Sequence, residues 1–139
     1  MKTMSPEDEV LGAVGFSTMV VRPGDTCVAM GISDLPILAP SHYMNVMESA
    51  CIAAVAEYLE PGETTIVKEI EFKVIDSAGI GSEIRGTARC IEVGGRELTF
   101  TCDAHEGERH LATALIKRTA VERITFLART AAQSLISEN

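Results

Sequence analysis

The apolar residues of this chain follow two different periods along its length. Between Ser41 and Leu59 they recur at helical spacing, and this segment ends just before Pro61-Gly62, a pair that stops a helix. From Ile66 onward apolar and polar residues alternate, which is typical of half-buried strands. The pattern therefore predicts one long helix at Ser41–Leu59, with Ser41 as its N-cap, followed by a series of strands.

Turn residues divide the rest of the chain into short elements. Arg22-Pro23-Gly24-Asp25 ends the first strand, and Gly94-Gly95 is predicted to close a two-residue hairpin. The predicted strands are Ala13–Val21, Thr26–Gly31, Ile66–Val74, Ser82–Val93, Glu97–Ala104 and His110–Val121, and an amphipathic helix follows at Glu122–Ile136. In the strand that follows the long helix, the residues predicted to face inward are Ile66, Lys68, Ile70, Phe72 and Val74.

A strand, a long apolar helix and an antiparallel meander together predict an α+β domain in which the sheet wraps around the helix. This is the hotdog arrangement, with an additional helix at the C-terminal end. A chain of 139 residues suffices for one such core, so we expect a single domain spanning residues 1–139. Residues 1–10 are polar and are expected to be flexible.

The composition is rich in apolar residues for so short a chain. Hydrophobic residues make up 46% of the sequence and the mean hydropathy is +0.17. The additional apolar residues can be buried in a subunit interface, because homodimer interfaces are more apolar than ordinary surface. The sequence therefore predicts a homodimer or a higher homo-oligomer.

Charge and cysteine spacing exclude several classes of function. A net charge of −8 argues against nucleic-acid binding, which requires clusters of Lys and Arg. The longest uncharged stretches are too short for a membrane span, and the acidic start lacks the basic residues of a signal peptide, so we expect a cytoplasmic protein without membrane contacts. The cysteines lack metal-ligand spacing and are predicted to be buried free thiols: Cys27, Cys51, Cys90 and Cys102. We therefore expect no metal site.

Glu48 interrupts the apolar face of the long helix. At about 100° per residue, the polar residues of the helix gather on one solvent stripe, and Glu48 lies about 120° from the middle of that stripe. An ionised carboxylate among apolar neighbours is costly unless it is paired or hydrogen-bonded. Glu48 is therefore either a buried acid held by an amide or an arginine, or a group retained for chemistry as a base or nucleophile.

The residues around Glu48 resemble a known family. Met47-Glu48-Ser49-Ala50-Cys51 and Tyr58-Leu59-Glu60-Pro61-Gly62-Glu63 resemble the central helix and the following turn of the fluoroacetyl-CoA thioesterases. Ala104-His105-Glu106-Gly107 is similar to the last hairpin of that family, and Arg118 and Phe126 fit its closing strand and helix. The resemblance covers about residues 16–126 and implies hydrolysis of a small acyl-CoA, with coenzyme A as part of the substrate and no further cofactor.

The resemblance also assigns the candidate site residues. Its site joins a hydroxyl before the helix, the helix Glu and a His on the next strand. Glu48 matches directly, whereas the hydroxyl position falls on Pro40, one residue before Ser41, and the His position falls on Val74. His42 is a possible replacement for that His. Arg118 is either the cation that faces Glu48 or an ordinary charge at a strand end.

Two functions remain open at this point. In the first, Glu48 hydrolyses an acyl-CoA thioester as base or nucleophile, while amides near Ser41 and Tyr43 at the helix N-terminus stabilise the thioester oxygen. In the alternative, a hotdog module binds an acyl-CoA or another apolar carboxylic ligand without turnover, which the Val at position 74 favours. The expected catalytic residues are Glu48, Ser41 and His42, and the expected substrate-binding residues are Tyr43, Met44, Val74 and Arg118. A hydratase is less well supported, because no Asp or His has the spacing that those enzymes use.

Overall fold

The computed structural model describes residues 7–137, which form one antiparallel sheet and a set of helices. The helices are α1 (Glu7–Val10), α2 (Cys27–Met30), α3 (Pro40–Val55) and α4 (Arg123–Ser137), and 3-10 turns occupy Pro23–Asp25 and Ala56–Tyr58. The strands are β1 (Val14–Val20), β2 (Glu63–Val74), β3 (Glu83–Gly94), β4 (Glu97–Glu106) and β5 (Arg109–Glu122).

The five strands lie in the order β1-β3-β4-β5-β2, and every neighbouring pair is antiparallel. The crossover from β1 to β2 carries α3, which packs on one face of the sheet, mainly against β1 and β3. A sheet that wraps around one long helix, followed by a C-terminal helix, confirms the predicted α+β hotdog class. Because β1 and β2 are the outer strands, each has one edge without a partner strand in the described part of the chain.

The core lies between α3 and the inward face of the sheet. On β4 the sequence alternation places four apolar residues on one face, and all four are fully buried: Leu98, Phe100, Cys102 and Ala104. On β3 the alternate residues are likewise buried: Ile84, Gly86, Ala88 and Cys90. All four cysteines are buried free thiols, as the sequence predicts. Alternation describes these two strands well, because each of them pairs with a neighbour on both sides.

Two glycines bring α3 into direct contact with the backbone of the sheet. A Cβ atom built on Gly15 of β1 would lie 2.1 Å from the carbonyl oxygen of Ala50, and one on Gly86 of β3 would lie 2.6 Å from that of Val46. Real atoms do not approach so closely, so only glycine fits at these two positions. Together with the small side chains of Ala50 and Ala54, these glycines set the short distance between the helix and strands β1 and β3.

A bulge in β2 reverses the predicted faces of its first half. The pairing with β5 shifts register between Val67 and Glu69, which leaves Lys68 as the extra residue. Ile70 and Phe72 are half-buried as predicted, but before the bulge the buried side chains are Glu63 and Thr65. The assignment of Ile66 and Lys68 to the inward face is therefore wrong, since one extra residue inverts a period of two. Val74 lies beyond the bulge and is 44% exposed at the end of the strand.

Two other predicted elements differ from the structure. Thr26–Gly31 is not extended, because the Thr26 side chain accepts a hydrogen bond from the Ala29 amide (3.2 Å) and caps the short helix α2. The long helix begins at Pro40 with Ala39 as its N-cap, so Ser41 is not the cap. It ends at Val55, and a 3-10 turn continues to Tyr58.

The β3–β4 hairpin is a two-residue turn, but it lies one residue later than predicted. Gly94 pairs with Glu97, so Gly95 and Arg96 form the loop. Gly95 has a φ of 63°, the left-handed conformation that glycine adopts readily, and this places the turn. The register of β3 also shifts between Cys90 and Glu92, which places Val93 opposite Leu98.

The two ends of the described chain differ in how they pack. Glu7–Val10 form a helical turn in which Val10 is fully buried. The rest of residues 1–10 lies outside the described part. At the other end, the Glu122 carboxylate accepts hydrogen bonds from the Ile124 and Thr125 amides and caps α4. The apolar stripe of α4 remains exposed at Ile124, Leu127 and Leu135. Within residues 7–137 no helix is long and apolar enough to span a membrane.

Candidate active site

Glu48 lies in the middle of α3, on the side of the helix that faces β5 rather than β1. Its side chain is 26% exposed, so the carboxylate is reachable from outside the core. Met44, one turn earlier, is half-buried, and Ile52, one turn later, is 49% exposed. The prediction that Glu48 lies off the solvent stripe, among apolar side chains, is confirmed.

Arg118 of β5 supplies the partner of this carboxylate. Arg118 is 5% exposed, and its Nη1 donates a hydrogen bond to Oε1 of Glu48 at 3.0 Å. Of the two roles predicted for Arg118, the structure therefore supports the cation that faces Glu48. The guanidinium gives this carboxylate a charge-assisted hydrogen bond, which holds it in one orientation.

Thr65 of β2 completes the contacts of the guanidinium. Its hydroxyl accepts a hydrogen bond from Nε of Arg118, and its backbone carbonyl accepts one from Nη2, both at 2.9 Å. The sequence analysis missed Thr65, because the alternation counted back from Ile70 assigns it to the outer face. Only the bulge at Lys68 turns it inward, and no sequence signal marks that bulge.

A pair of thiols lies behind this cluster in the core. Sγ of Cys51, on the helix turn after Glu48, is 3.4 Å from Sγ of Cys102 on β4. The hydrogen bond with Cys102 and burial raise the pKa of Cys51, so this thiol stays protonated at neutral pH. Cys51 therefore adds no second charge beside Glu48 and Arg118.

A groove opens next to the cluster, between the end of α3 and the start of β2. It has a volume of about 340 Å³ and begins at Ile52, one helix turn after Glu48. Its walls include apolar side chains of Val55 and Leu59 and reach Thr65. Glu63, also in this wall, is 3% exposed, accepts a hydrogen bond from the Glu60 amide (2.9 Å) and holds the turn between helix and strand. The groove is large enough for a short acyl chain.

The other predicted site residues are not brought together with Glu48. Ser41 lies two turns before it, about 10 Å along the helix axis, and no hydrogen bond joins the two in the described residues. His42 faces the opposite flank, where its Nε2 is 3.7 Å from Oδ1 of Asp25. Tyr43 is 1% exposed and its hydroxyl donates to the Asp76 carbonyl (3.0 Å), so this side chain belongs to the core.

Of the predicted substrate-binding residues, Met44 and Arg118 border Glu48, whereas Val74 does not. Val67 pairs with Arg118 and Val74 pairs with Ala112, so Val74 is six residues of β5 away from the guanidinium. That separation amounts to about 20 Å along the strand. Among residues 7–137, no group of three or more His, Cys, Asp or Glu side chains could hold a metal ion.

Comparisons with known proteins agree with this geometry. A model of the family described as fluoroacetyl-CoA-specific thioesterase matches residues 21–124. The fluoroacetyl-CoA thioesterase of Streptantibioticus cattleyicolor is 29% identical over 93 residues, which cover 67% of each chain. A solved structure of a fluoroacetyl-CoA thioesterase superposes with a TM-score of 0.81 at 26% identity, over 88% of this chain and 95% of that one.

More distant solved structures support the fold alone. A hypothetical protein of Thermus thermophilus, described as a thioesterase superfamily member, has a TM-score of 0.84 at 21% identity over 92% of this chain and 95% of that one. A hot-dog-like protein of Thermanaerovibrio acidaminovorans has a TM-score of 0.82 at 17% identity, with coverage of 93% and 97%. The sheet order and the central helix are thus those of a hotdog fold.

Proposed function

Because this chain belongs to the fluoroacetyl-CoA-specific thioesterase family, and is therefore an acyl-CoA thioesterase, we propose that it hydrolyses small acyl-CoA thioesters with Glu48 as the reacting carboxylate. The observation that carries this proposal is the contact of a partly exposed Glu48 with the buried Arg118, next to a groove lined by apolar and polar side chains. A paired, ionised carboxylate at the edge of a groove has the charge and the access that thioester hydrolysis needs.

Two chemical routes use the same arrangement. As a base, Glu48 removes a proton from water, the resulting hydroxide attacks the thioester carbon, and the C–S bond breaks to release coenzyme A and a carboxylic acid. As a nucleophile, Glu48 attacks that carbon itself, the C–S bond breaks, and coenzyme A leaves. Water then hydrolyses the remaining mixed anhydride to the carboxylic acid and regenerates Glu48. In both routes the hydrogen bond from Arg118 holds the carboxylate in place.

The size of the groove favours a short acyl group. The groove beside Glu48 measures about 340 Å³, and its apolar walls end at the turn that Glu63 closes. We therefore expect activity to be highest with acyl chains of a few carbons and to fall for long chains. A series from acetyl-CoA to octanoyl-CoA, with coenzyme A release followed by a thiol reagent, measures this preference.

Glu48→Gln tests the assignment of the carboxylate. The substitution keeps size and hydrogen bonding but removes basicity, so kcat should fall by roughly 100-fold or more. Glu57→Gln is the matched control, because Glu57 is exposed just after the same helix and should leave kcat unchanged. An acyl adduct on Glu48, found by mass spectrometry after a single-turnover quench, would select the nucleophilic route over the base.

Two outcomes contradict the proposal. If Glu48→Gln releases coenzyme A as fast as the wild type, the chemistry lies with other residues, and Ser41 and His42 become the next candidates. If the wild type turns over no acyl-CoA in the series but is stabilised against heat by one of them, the protein is the binding module that Val74 favours.

We also propose that the chain forms a homodimer through the free edge of β2. This edge strand is 12 residues long, and Val67 and Val74 on it are 40% and 44% exposed. Two β2 strands that pair antiparallel about their midpoint would bring the Val74 end of one copy beside Thr65 of the other. Val74 of the second copy would then lie near Glu48 of the first, although these two residues are far apart within one chain. Light scattering at micromolar concentration tests the dimer, and a monomer would contradict it.

A further inference from the structure

Arg118 can hold Glu48 only if its own side chain is fixed, and the contacts of the guanidinium show what fixes it. Of its three side-chain hydrogen bonds to residues 7–137, two go to Thr65 and one goes to Glu48. The two bonds to Thr65 use Nε and Nη2, which form one edge of the planar guanidinium. A group held along one edge has no freedom to rotate, so the direction of Nη1 toward Glu48 is set by Thr65.

From this arrangement we propose that Thr65 is a positioning residue for the reaction: its hydroxyl holds the Arg118 guanidinium so that Nη1 stays on Glu48. The inference rests on the proposed function, because it gives Thr65 a role in the chemistry assigned to Glu48. Thr65 itself is 6% exposed and acts through Arg118 rather than on the substrate.

The location of Thr65 supports this role over a purely structural one. The strand carries a bulge at Lys68, which interrupts the pairing with β5 and brings Thr65 to the inward face. The backbone carbonyl of Thr65 would bind Nη2 whatever the side chain at this position. The hydroxyl contributes only the additional bond to Nε, so its removal loosens the guanidinium without emptying the space around it.

Thr65→Val removes that bond and keeps the shape of the side chain. With the guanidinium free to turn, kcat should fall roughly tenfold, the equivalent of one lost charge-assisted hydrogen bond, with KM nearly unchanged.

Two further variants separate positioning from stability. Thr65→Ser restores the hydroxyl and should return kcat to within about twofold of the wild type, again with KM nearly unchanged. Thr119→Val is the matched control, since Thr119 follows Arg118 on β5 and its buried hydroxyl has no hydrogen-bond partner among the described residues. This control should leave both quantities unchanged. Equal loss in Thr65→Ser and Thr65→Val, or equal loss in Thr119→Val, would overturn the proposal.

The failure of this inference can be told apart from that of the proposed function. If Glu48→Gln is inactive while Thr65→Val matches the wild type in kcat, only the role of Thr65 is wrong. If no acyl-CoA is turned over, NMR of the arginine side chains tests the role of Thr65 instead. The Arg118 signal is assigned as the one that disappears in Arg118→Lys. Thr65→Val should then speed solvent exchange of the Arg118 Nε–H by roughly tenfold, and unchanged exchange would reject the positioning role.

Discussion

The two flanks of α3 are built in opposite ways. On the β1 and β3 flank the helix meets the sheet backbone to backbone, at Gly15 and Gly86, with no room for a single extra carbon atom. On the β5 and β2 flank the helix presents a charged side chain, Glu48, to a buried arginine and an open groove. The first flank is closely packed around the two glycines, and the second carries a charged pair next to a groove.

The contrast shows where the stability of the site comes from. A charged pair with one member buried adds little or nothing to stability, because removing the ions from water offsets their attraction. Close packing of glycine and alanine on the other flank holds the helix in place independently of that pair. The rigid flank therefore allows the reactive flank to keep a charge and a cavity, and substitutions on the two flanks should differ in size and in kind.

The largest effect is expected at the tight flank. Gly15→Ala would place a methyl group within 2.1 Å of the Ala50 carbonyl oxygen, so α3 must lift away from β1. We expect the free energy of unfolding to fall by at least about 3 kcal/mol, measured by urea denaturation. Gly24→Ala is the control, because a Cβ there has nothing within 4 Å, and it should be nearly neutral. Similar losses in both variants would show that the close approach does not matter.

An intermediate effect is expected at the reactive flank. Glu48→Gln leaves the buried Arg118 without a negative partner, so the free energy of unfolding should fall by about 1 to 2 kcal/mol. From the sequence alone, Glu48→Gln is expected to leave the free energy of unfolding unchanged or slightly raised, because it removes a buried charge. The contact with Arg118 changes this expectation to a loss of stability. A double-mutant cycle with Arg118→Met measures the coupling, and a coupling of zero would mean that the pair is not formed in solution.

The smallest effect is expected at the start of the helix. Ser41 lies inside α3 rather than at its cap, which is Ala39, so Ser41→Ala should change the free energy of unfolding by less than about 0.5 kcal/mol. An N-cap serine would cost about 1 kcal/mol on the same substitution. Thermal denaturation of the variant distinguishes the two values, and the larger loss would place the helix start at Ser41 after all.

The sequence by itself determined most of the elements, and its hydrophobic pattern singled out Glu48 in the candidate site. The helical period before Pro61-Gly62 and the alternation of β4 depend only on neighbours along the chain, and both are found as predicted. Glu48 was recognisable for the same reason, since the direction of a side chain on a helix follows from residue number alone. Local periodicity is therefore enough to find an acid that is out of place.

Tertiary structure decided which groups surround that acid. The bulge at Lys68 inverts the first half of β2 and brings Thr65 to Arg118, 53 residues away in the chain. Likewise, only the packing of α3 across the sheet brings Glu48 to an arginine 70 residues later. A single inserted residue leaves no mark on hydrophobic spacing but reverses every side chain before it, because a strand has a period of two. Contacts between residues so far apart in the chain depend on strand register and on where the helix packs, and both are determined only in the folded sheet.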